Sequence, residues 1–280
     1  YDWYWDLGDL SEGPFLQRAL EEGFLQAPNK ERLKFALMWA NHNNLNRERF
    51  DRMVEYIIER YFHYPHYWEV DGKLYFSIYE MFTLIQGLGG IAQTREALLH
   101  FRKKTGEAGF TGLHLNAMEW GIQPENIKEF GMQPDEMVTY MGIDSVTSYV
   151  WAHNTMPDGF PSSPYSECVD LAVQLWPEFR DRFSVPYYPN ASMGWDPSPR
   201  TDQSKELVEG EYPNTRILAG NTPDEFKRSL MLAKKFLDEG NTHPKIVTLY
   251  AWNEWTEGGY LEPDMVNGMK YLEAIRAVFP

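Results

Sequence analysis

Cysteine is nearly absent: the 280 residues hold one, Cys168. A single cysteine excludes an intrachain disulfide and a cysteine-based zinc cluster. With no His–Asn arrangement near it in sequence, Cys168 reads as a small buried apolar residue rather than a nucleophile. Long apolar runs are missing as well. No stretch approaches the ~20 residues that span a bilayer, so membrane insertion is not expected. Positive charge is scarce: 26 Lys and Arg face 41 Asp and Glu, for a formal net charge of −15. Phosphate contacts need Lys or Arg, and no basic run occurs, so nucleic acid is not an expected partner. The acidity serves solubility. No HExxH, P-loop or GxSxG segment is present. His63 and His66 are spaced like metal ligands but follow a helix, and they read as surface or packing residues. Neither metal nor cofactor is therefore expected.

What is present suits a globular domain. Hydrophobic residues make up 43% and charged residues 24%, ordinary values for a chain with a sizeable core. The opening YDWYWDLGD lacks the basic start and apolar run of a signal peptide and reads as a strand end. A trimmed or mature chain is the expectation. Localisation stays open, with an extracytoplasmic site favoured over the cytoplasm.

Short β-rich runs alternate with amphipathic stretches. Strands are expected at Tyr1 to Trp5, Lys34 to Ala40, Leu74 to Glu80, Thr111 to Ala117, Asp144 to Val150, Ser184 to Pro189 and Ile246 to Trp252. Near-continuous apolar runs such as IVTLYAW suit parallel strands buried on both faces. Helices are expected at Arg47 to Phe62, Ile91 to Lys104, Tyr165 to Phe179, Pro223 to Leu237 and Met265 to Phe279. At the fourth, Thr222 can cap, Pro223 fits the first position, and Asp224 and Glu225 sit at the positive end. Strand alternating with helix means α/β with a parallel sheet. The length suits a single (β/α)8 barrel of about 250 residues or more.

Seven strands are read where a barrel has eight. Either one precedes Tyr1, the favoured reading, or Thr215 to Ala219 supplies it. The expected organisation is one barrel catalytic domain over residues 1–280, incomplete at its N-terminus. A doubly wound sheet competes but would show a Gly-rich turn after its first strand, and none occurs. Asn190 to Asn214, rich in Pro, Ser and charge, is expected to be a long loop over a strand end, where function often lies.

Barrel enzymes place reactive groups at the C-terminal ends of their strands. Those ends carry Asp2, Trp3, Trp5 and Asp6, then Trp39, Asn41 and His42, then Tyr79 and Glu80. Asn116 and Glu119 follow, then Tyr149, Trp151 and His153, then Tyr188 and Asn190. The last strand ends in Trp252, Asn253, Glu254, Trp255 and Glu257. An aromatic, amide-rich and acidic rim fits a sugar, whose C–H faces lie on rings while its hydroxyls need hydrogen-bond partners.

Glu254 and Glu257 stand three apart in EWTE, directly after an apolar strand. In a helical turn both would lie on one face. Glycosyl transfer commonly uses two carboxyl groups, one protonated and one ionised. An exposed surface pair is the ordinary alternative. Tyr188 or Tyr149 can hydrogen-bond one carboxylate, and Asp196 and Arg200 can hold a sugar hydroxyl or pair with each other.

The segment YAWNEWTEGGYLEPD, Tyr250 to Asp264, resembles the signature of glycoside hydrolase family 99 and is closer still to the family-99-like proteins labelled WbsX. DWYW at Asp2, MWANHN at Met38, VDGKLYFSIY at Val70 and GWDPSPR at Gly194, which carries Trp195, Asp196 and Arg200, extend the resemblance along nearly the whole chain. It implies a (β/α)8 barrel acting with retention on α-linked, mannose-like sugars. By position, Glu254 is the implied base that assists the sugar's own 2-hydroxyl as nucleophile. Glu257 is the implied acid toward the leaving oxygen and then the base for water. The implied sugar contacts are the rim residues Asp2, Trp3, Trp5, Trp39, Asn41, His42, Tyr79, Asn116, Tyr149, Trp151 and Tyr188, with Trp195, Asp196, Arg200, Asn253 and Trp255. Thr256 departs from the family, which typically has His there. Two rivals are a glycosyltransferase of polysaccharide assembly, as the WbsX label suggests, and a non-catalytic carbohydrate-binding barrel. A sugar-nucleotide enzyme would usually show a doubly wound sheet and a diphosphate or metal site.

Overall fold

A computed structural model describes residues 1–6, 13–240 and 242–280. The remainder of the opening segment, residues 7–12, lies outside the described residues. The chain divides into two units, Tyr1–Val146 with Phe183–Val185, and Thr147–Arg182 with Pro186–Pro280.

The first unit holds strands β1 (Asp2–Trp5), β2 (Pro14–Phe15), β3 (Leu37–Trp39), β4 (Glu69–Val70), β5 (Lys73–Ile78) and β6 (Leu113–Met118), and β7 (Ser145–Thr147) begins at its end and runs into the first residue of the second. Pairing is parallel from β1 through β3 and β5 to β6, with Trp39 opposite Ile78 and Ile78 opposite Ala117. β2 and β4 add antiparallel edges to β1 and β5. The β4–β5 hairpin turns on Asp71 and Gly72, both at positive φ. Its helices are α1 (Arg47–Ile57), α2 (Met81–Leu88), α3 (Ile91–Glu107), α4 (Pro124–Ile127) and α5 (Pro134–Met141).

Helix α1 shows why these elements form. Asn46 caps it by accepting from the Arg49 amide at 3.0 Å. Phe50, Met53, Val54 and Ile57 recur on one face and are buried. Each such side chain contributes about 1.5–3 kcal/mol. A wider turn over Ile58–Phe62 continues it, so the expected helix to Phe62 is present with a change of pitch.

The second unit holds β8 (Ser162–Pro164), β9 (Tyr187–Tyr188), β10 (Asn190–Ser192), β11 (Ile217–Ala219), β12 (Thr248–Tyr250), β13 (Asn253–Glu254) and β14 (Gly259–Tyr260), with α6 (Tyr165–Arg182), α7 (Pro223–Asp238) and α8 (Lys270–Val278). β10 and β12 are parallel, as are β8 and β11, while β13 and β14 form an antiparallel hairpin. Helix α7 begins as its sequence suggests, with the Thr222 hydroxyl accepting from the Glu225 amide and Pro223 in the first turn.

Three expectations need correction. The segment from Asn190 is not all loop, since it opens with β10 and later turns through Ser198–Arg200. Thr215 to Ala219 does hold a strand, β11, and it pairs with β8. The last helix starts at Lys270, because Met265 and Val266 are fully exposed and bury no apolar stripe. Among the described residues, no helix is long and apolar enough to cross a membrane, and no three His, Cys, Asp or Glu are grouped to hold a metal.

Candidate functional site

The most chemically organised cluster lies in the second unit, after β12. Strand β13 carries Glu254, and a 3₁₀ turn over Trp255–Glu257 follows, in place of the expected helical turn. Gly258 then takes a left-handed conformation at φ 67°, which ends the turn. A Cβ on Gly258 would lie 2.8 Å from the Asp196 backbone nitrogen, and one on Gly259 would run into the Tyr250 ring. Two glycines therefore let this turn press between Asp196 and Tyr250. The Asp196 amide donates to the Glu257 carbonyl at 2.6 Å, tying the GWDPSPR segment to the carboxylate turn.

This approach buries Glu257, which is 8% exposed. Tyr212 donates to its Oε1 at 2.5 Å, and Tyr250 donates to its Oε2. Arg200 Nη1 lies 2.8 Å from the same Oε1. The other arm of that guanidinium, Nη2, reaches Glu254 Oε1 at 2.6 Å. Its Nε donates to the Thr256 hydroxyl at 2.8 Å, and Thr256 donates onward to Glu254 at 3.2 Å. One planar cation thus forks across both carboxylates, a geometry suited to Arg and not to the point charge of Lys.

The charges around the site agree with this picture. Partial burial works against the Arg200 charge, yet Glu257, Tyr212 and Glu254 outweigh it and hold the guanidinium above its usual range. Burial and the hydrogen bond to Glu257 push the Tyr212 phenol up to about 12. Burial and then the Glu257 charge drive Tyr250 further in the same direction. Both phenols therefore stay protonated and act as donors.

Aromatic rings surround the cluster. Tyr149 lies 5.3 Å from Tyr250 between ring centres, and Trp195 lies 6.1 Å from Tyr250 and 6.2 Å from Tyr212. Trp255 stacks on Tyr260 at 4.0 Å and donates its indole N–H to Glu262 at 2.7 Å. Trp252 and Trp255 remain 53% and 44% exposed beside Glu254, and Asn253, between Trp252 and Glu254, is also exposed.

The structure thus gathers Glu254, Glu257, Tyr149, Trp195, Asp196, Arg200, Asn253 and Trp255. It corrects one detail. Arg200 pairs with the two glutamates, not with Asp196, whose Oδ1 accepts from the Ser198 amide at 3.0 Å. The phenols on Glu257 are Tyr250 and Tyr212. Tyr250 opens the YAWNEWTEG segment, and Tyr212 sits in the Pro- and charge-rich stretch, but no spacing rule joins either to Glu257. Trp151 and Tyr188 are buried, with the Trp151 indole donating to the Asn190 carbonyl at 2.8 Å.

The rim residues of the first unit form their own groups. Asp2, Trp5 and Tyr79 are half-buried and His42 is exposed. Trp3, Trp39, Asn41 and Asn116 are buried. Trp3 donates to the Tyr61 hydroxyl at 3.1 Å, and Asn116 accepts from Ser77 and donates to Ser145. Asn41 clamps the main chain of Glu80, donating to its carbonyl at 2.6 Å and accepting from its amide at 2.8 Å.

A family model described as Glycosyltransferase WbsX matches residues 3–275. No curated protein sequence matches significantly. Among solved structures, the family 99 endo-α-mannosidase of Bacteroides thetaiotaomicron in complex with Bis-Tris propane is similar with a TM-score of 0.59 at 12% identity, over 94% of this chain and 73% of that one. A second structure of that enzyme gives 0.58 at 12% identity, over 95% and 70%. A protein described as glycoside hydrolase-like gives 0.53 at 15% identity, over 83% and 60%. The fold is therefore the α/β, barrel-like fold of family 99.

Proposed function

We propose that this chain, which belongs to the family described as Glycosyltransferase WbsX, hydrolyses α-linked, mannose-like oligo- or polysaccharides with retention of configuration. The observation that carries this reading is the Glu254–Arg200–Glu257 arrangement, in which two carboxylates share one guanidinium beside exposed tryptophan faces. The same reading takes residues 1–280 as one catalytic domain on a (β/α)8 barrel, supported by the fold of the family 99 structures.

Glu254 takes the proton of the sugar 2-hydroxyl as that oxygen attacks C1. Glu257 gives its proton to the leaving oxygen as the C1–O bond breaks, and a 1,2-anhydro sugar results. Glu257 then takes a proton from water, the water oxygen bonds to C1, the C1–O2 bond opens, and Glu254 returns its proton to O2. Two inversions at C1 give net retention, and the exchange of roles by Glu257 obeys microscopic reversibility. Tyr250 and Tyr212 grip both oxygens of Glu257 and fix its plane. Arg200 stops the two carboxylates from repelling each other.

Asp2, Trp5, His42, Tyr79, Tyr149, Asp196, Asn253 and Trp255 serve as sugar contacts in this reading. Trp3, Trp39, Asn41, Asn116, Trp151, Tyr188 and Trp195, being buried, act as supports. No cofactor is needed. The test is a screen of α-linked glycans with the product anomer followed by NMR. Glu257→Gln should abolish turnover while sugar binding survives, and full activity of that variant would overturn the assignment. A glycosyltransferase is the second reading, favoured by the family's description. Nucleotide sugars with an acceptor would then yield a longer oligosaccharide, and the α-glycan screen would yield nothing.

A further inference from the structure

The first unit contains a cleft of its own. It lies between the turn after β5 and the segment after β6, and its volume is about 740 Å³. That falls within the ~300–1,000 Å³ of small-ligand clefts. Its walls are built from two directions. On one side Glu80 is fixed through its main chain by Asn41, and its carboxylate accepts from Thr83. On the other, Gly121 lets the second segment close on the first, since a Cβ there would sit 3.2 Å from the Met81 amide nitrogen.

Two half-buried rings line the space, Trp120 and Phe82. Trp120 is backed by Tyr79 at 5.3 Å and Phe82 by Phe130 at 5.9 Å, so both rings are held rather than loose. Asn126 donates to the Trp120 carbonyl at 2.6 Å and itself lines the cleft. Ring faces beside a fixed carboxylate and an amide offer what a pyranose requires: a surface for its C–H groups and acceptors for its hydroxyls. The charges narrow the class further. Glu80, Glu125 and Glu129 face one cation, Lys128, so a sugar bearing carboxylate or sulfate groups would be repelled.

We infer that this cleft is a saccharide-binding site of the first unit, taking a pyranose without acidic substituents, with Trp120 as its stacking surface and Glu80 and Asn126 as its hydroxyl partners.

The test uses the full chain carrying Glu257→Gln, titrated calorimetrically with α-mannotetraose, chitosan tetrasaccharide and tetragalacturonate. Binding of one of the first two is expected, weakened at least tenfold by Trp120→Ala and severalfold by Asn126→Ala. Tetragalacturonate should give no heat. The inference falls if no probe binds, if tetragalacturonate binds most tightly, or if neither substitution changes the affinity. Should Trp120→Ala lose its folded circular dichroism, Asn126→Ala and Glu80→Gln decide the matter. The two proposals fail separately. Trp120-dependent binding with no hydrolysis of any glycan by the unsubstituted chain sinks the catalytic reading alone. Hydrolysis with affinity indifferent to all three substitutions sinks this one alone.

Discussion

Arg200 Nη2 lies 2.6 Å from Glu254 Oε1, while the same guanidinium reaches Glu257 with its other arm at 2.8 Å. The pair of acids is therefore a trio. In the reading proposed above, Arg200 is a positioning residue that acts through the carboxylates. Arg200→Ala should lower kcat roughly ten- to hundredfold, with a smaller change in KM. Its pH–rate profile should move to higher pH, because losing the cation favours protonation of nearby carboxyls. Arg200→Lys should recover little, since an ammonium cannot fork. An unchanged pH profile in Arg200→Ala would refute the role.

Tyr250 offers a narrower test. Tyr250→Phe keeps the ring but removes a donor from Glu257 Oε2. A loss of about 1–3 kcal/mol in transition-state stabilisation is expected, read as kcat/KM. Glycan affinity of the Tyr250→Phe, Glu257→Gln double variant should match that of Glu257→Gln alone. Undiminished kcat/KM in Tyr250→Phe would remove the phenol from the mechanism.

The phenols also set a limit at high pH. The Tyr212 value is raised from its ordinary 10 to about 12, chiefly by burial and then by Glu257. Between those two values the unfolded chain loses the proton first, so the folded state binds more protons and stability falls as pH rises. Below pH 10 Tyr212 contributes its full share. Urea midpoints measured from pH 9 to 12 should decline, and Tyr212→Phe should flatten the slope. An identical slope in that variant would contradict the assignment.

Gly259 and Gly258 are predicted to resist substitution for steric reasons. Gly259→Ala drives a methyl group into the Tyr250 ring, and Gly258→Ala meets Asp196 from a left-handed backbone. Overpacking of this kind costs about 1–3 kcal/mol. For a chain of this size the melting temperature should drop by several degrees. Calorimetry on each variant checks this, and unchanged melting would show that the turn has slack.

Cys168 should be inert. Burial pushes its thiol up to about 12, and the residue has no exposed surface. A thiol reagent at pH 8 should leave the native chain unmodified and label it fully in denaturant. Rapid labelling of the native chain would show that α6 opens.

Much of the fold is legible in the sequence because parallel strands and long amphipathic helices carry periodic signals. β5, β6 and α3 overlap their expected positions. Short elements were not legible. α2 is apolar on most faces, and β8, three residues long, exists through its pairing with β11 rather than through propensity. The glutamates were readable from their place after an apolar strand. Tyr212 was not, because its distance from Glu257 is set by how the 196–216 segment folds back. Trp39 ends β3, as barrel geometry suggests, yet is buried in the core. Alternation along a strand decides that, and a strand buried on both faces hides the alternation.

The glycines after Glu257 bear on how relatives of this chain should be sorted. Gly258 and Gly259 are demanded by Asp196 and Tyr250, not by bond breaking. A descendant that lost both acids would still need them to keep its shape, so a retained Gly-Gly pair says nothing about whether such a protein remains an enzyme. The groups that discriminate are those that hold the acids: the guanidinium at Arg200 and the phenol at Tyr212.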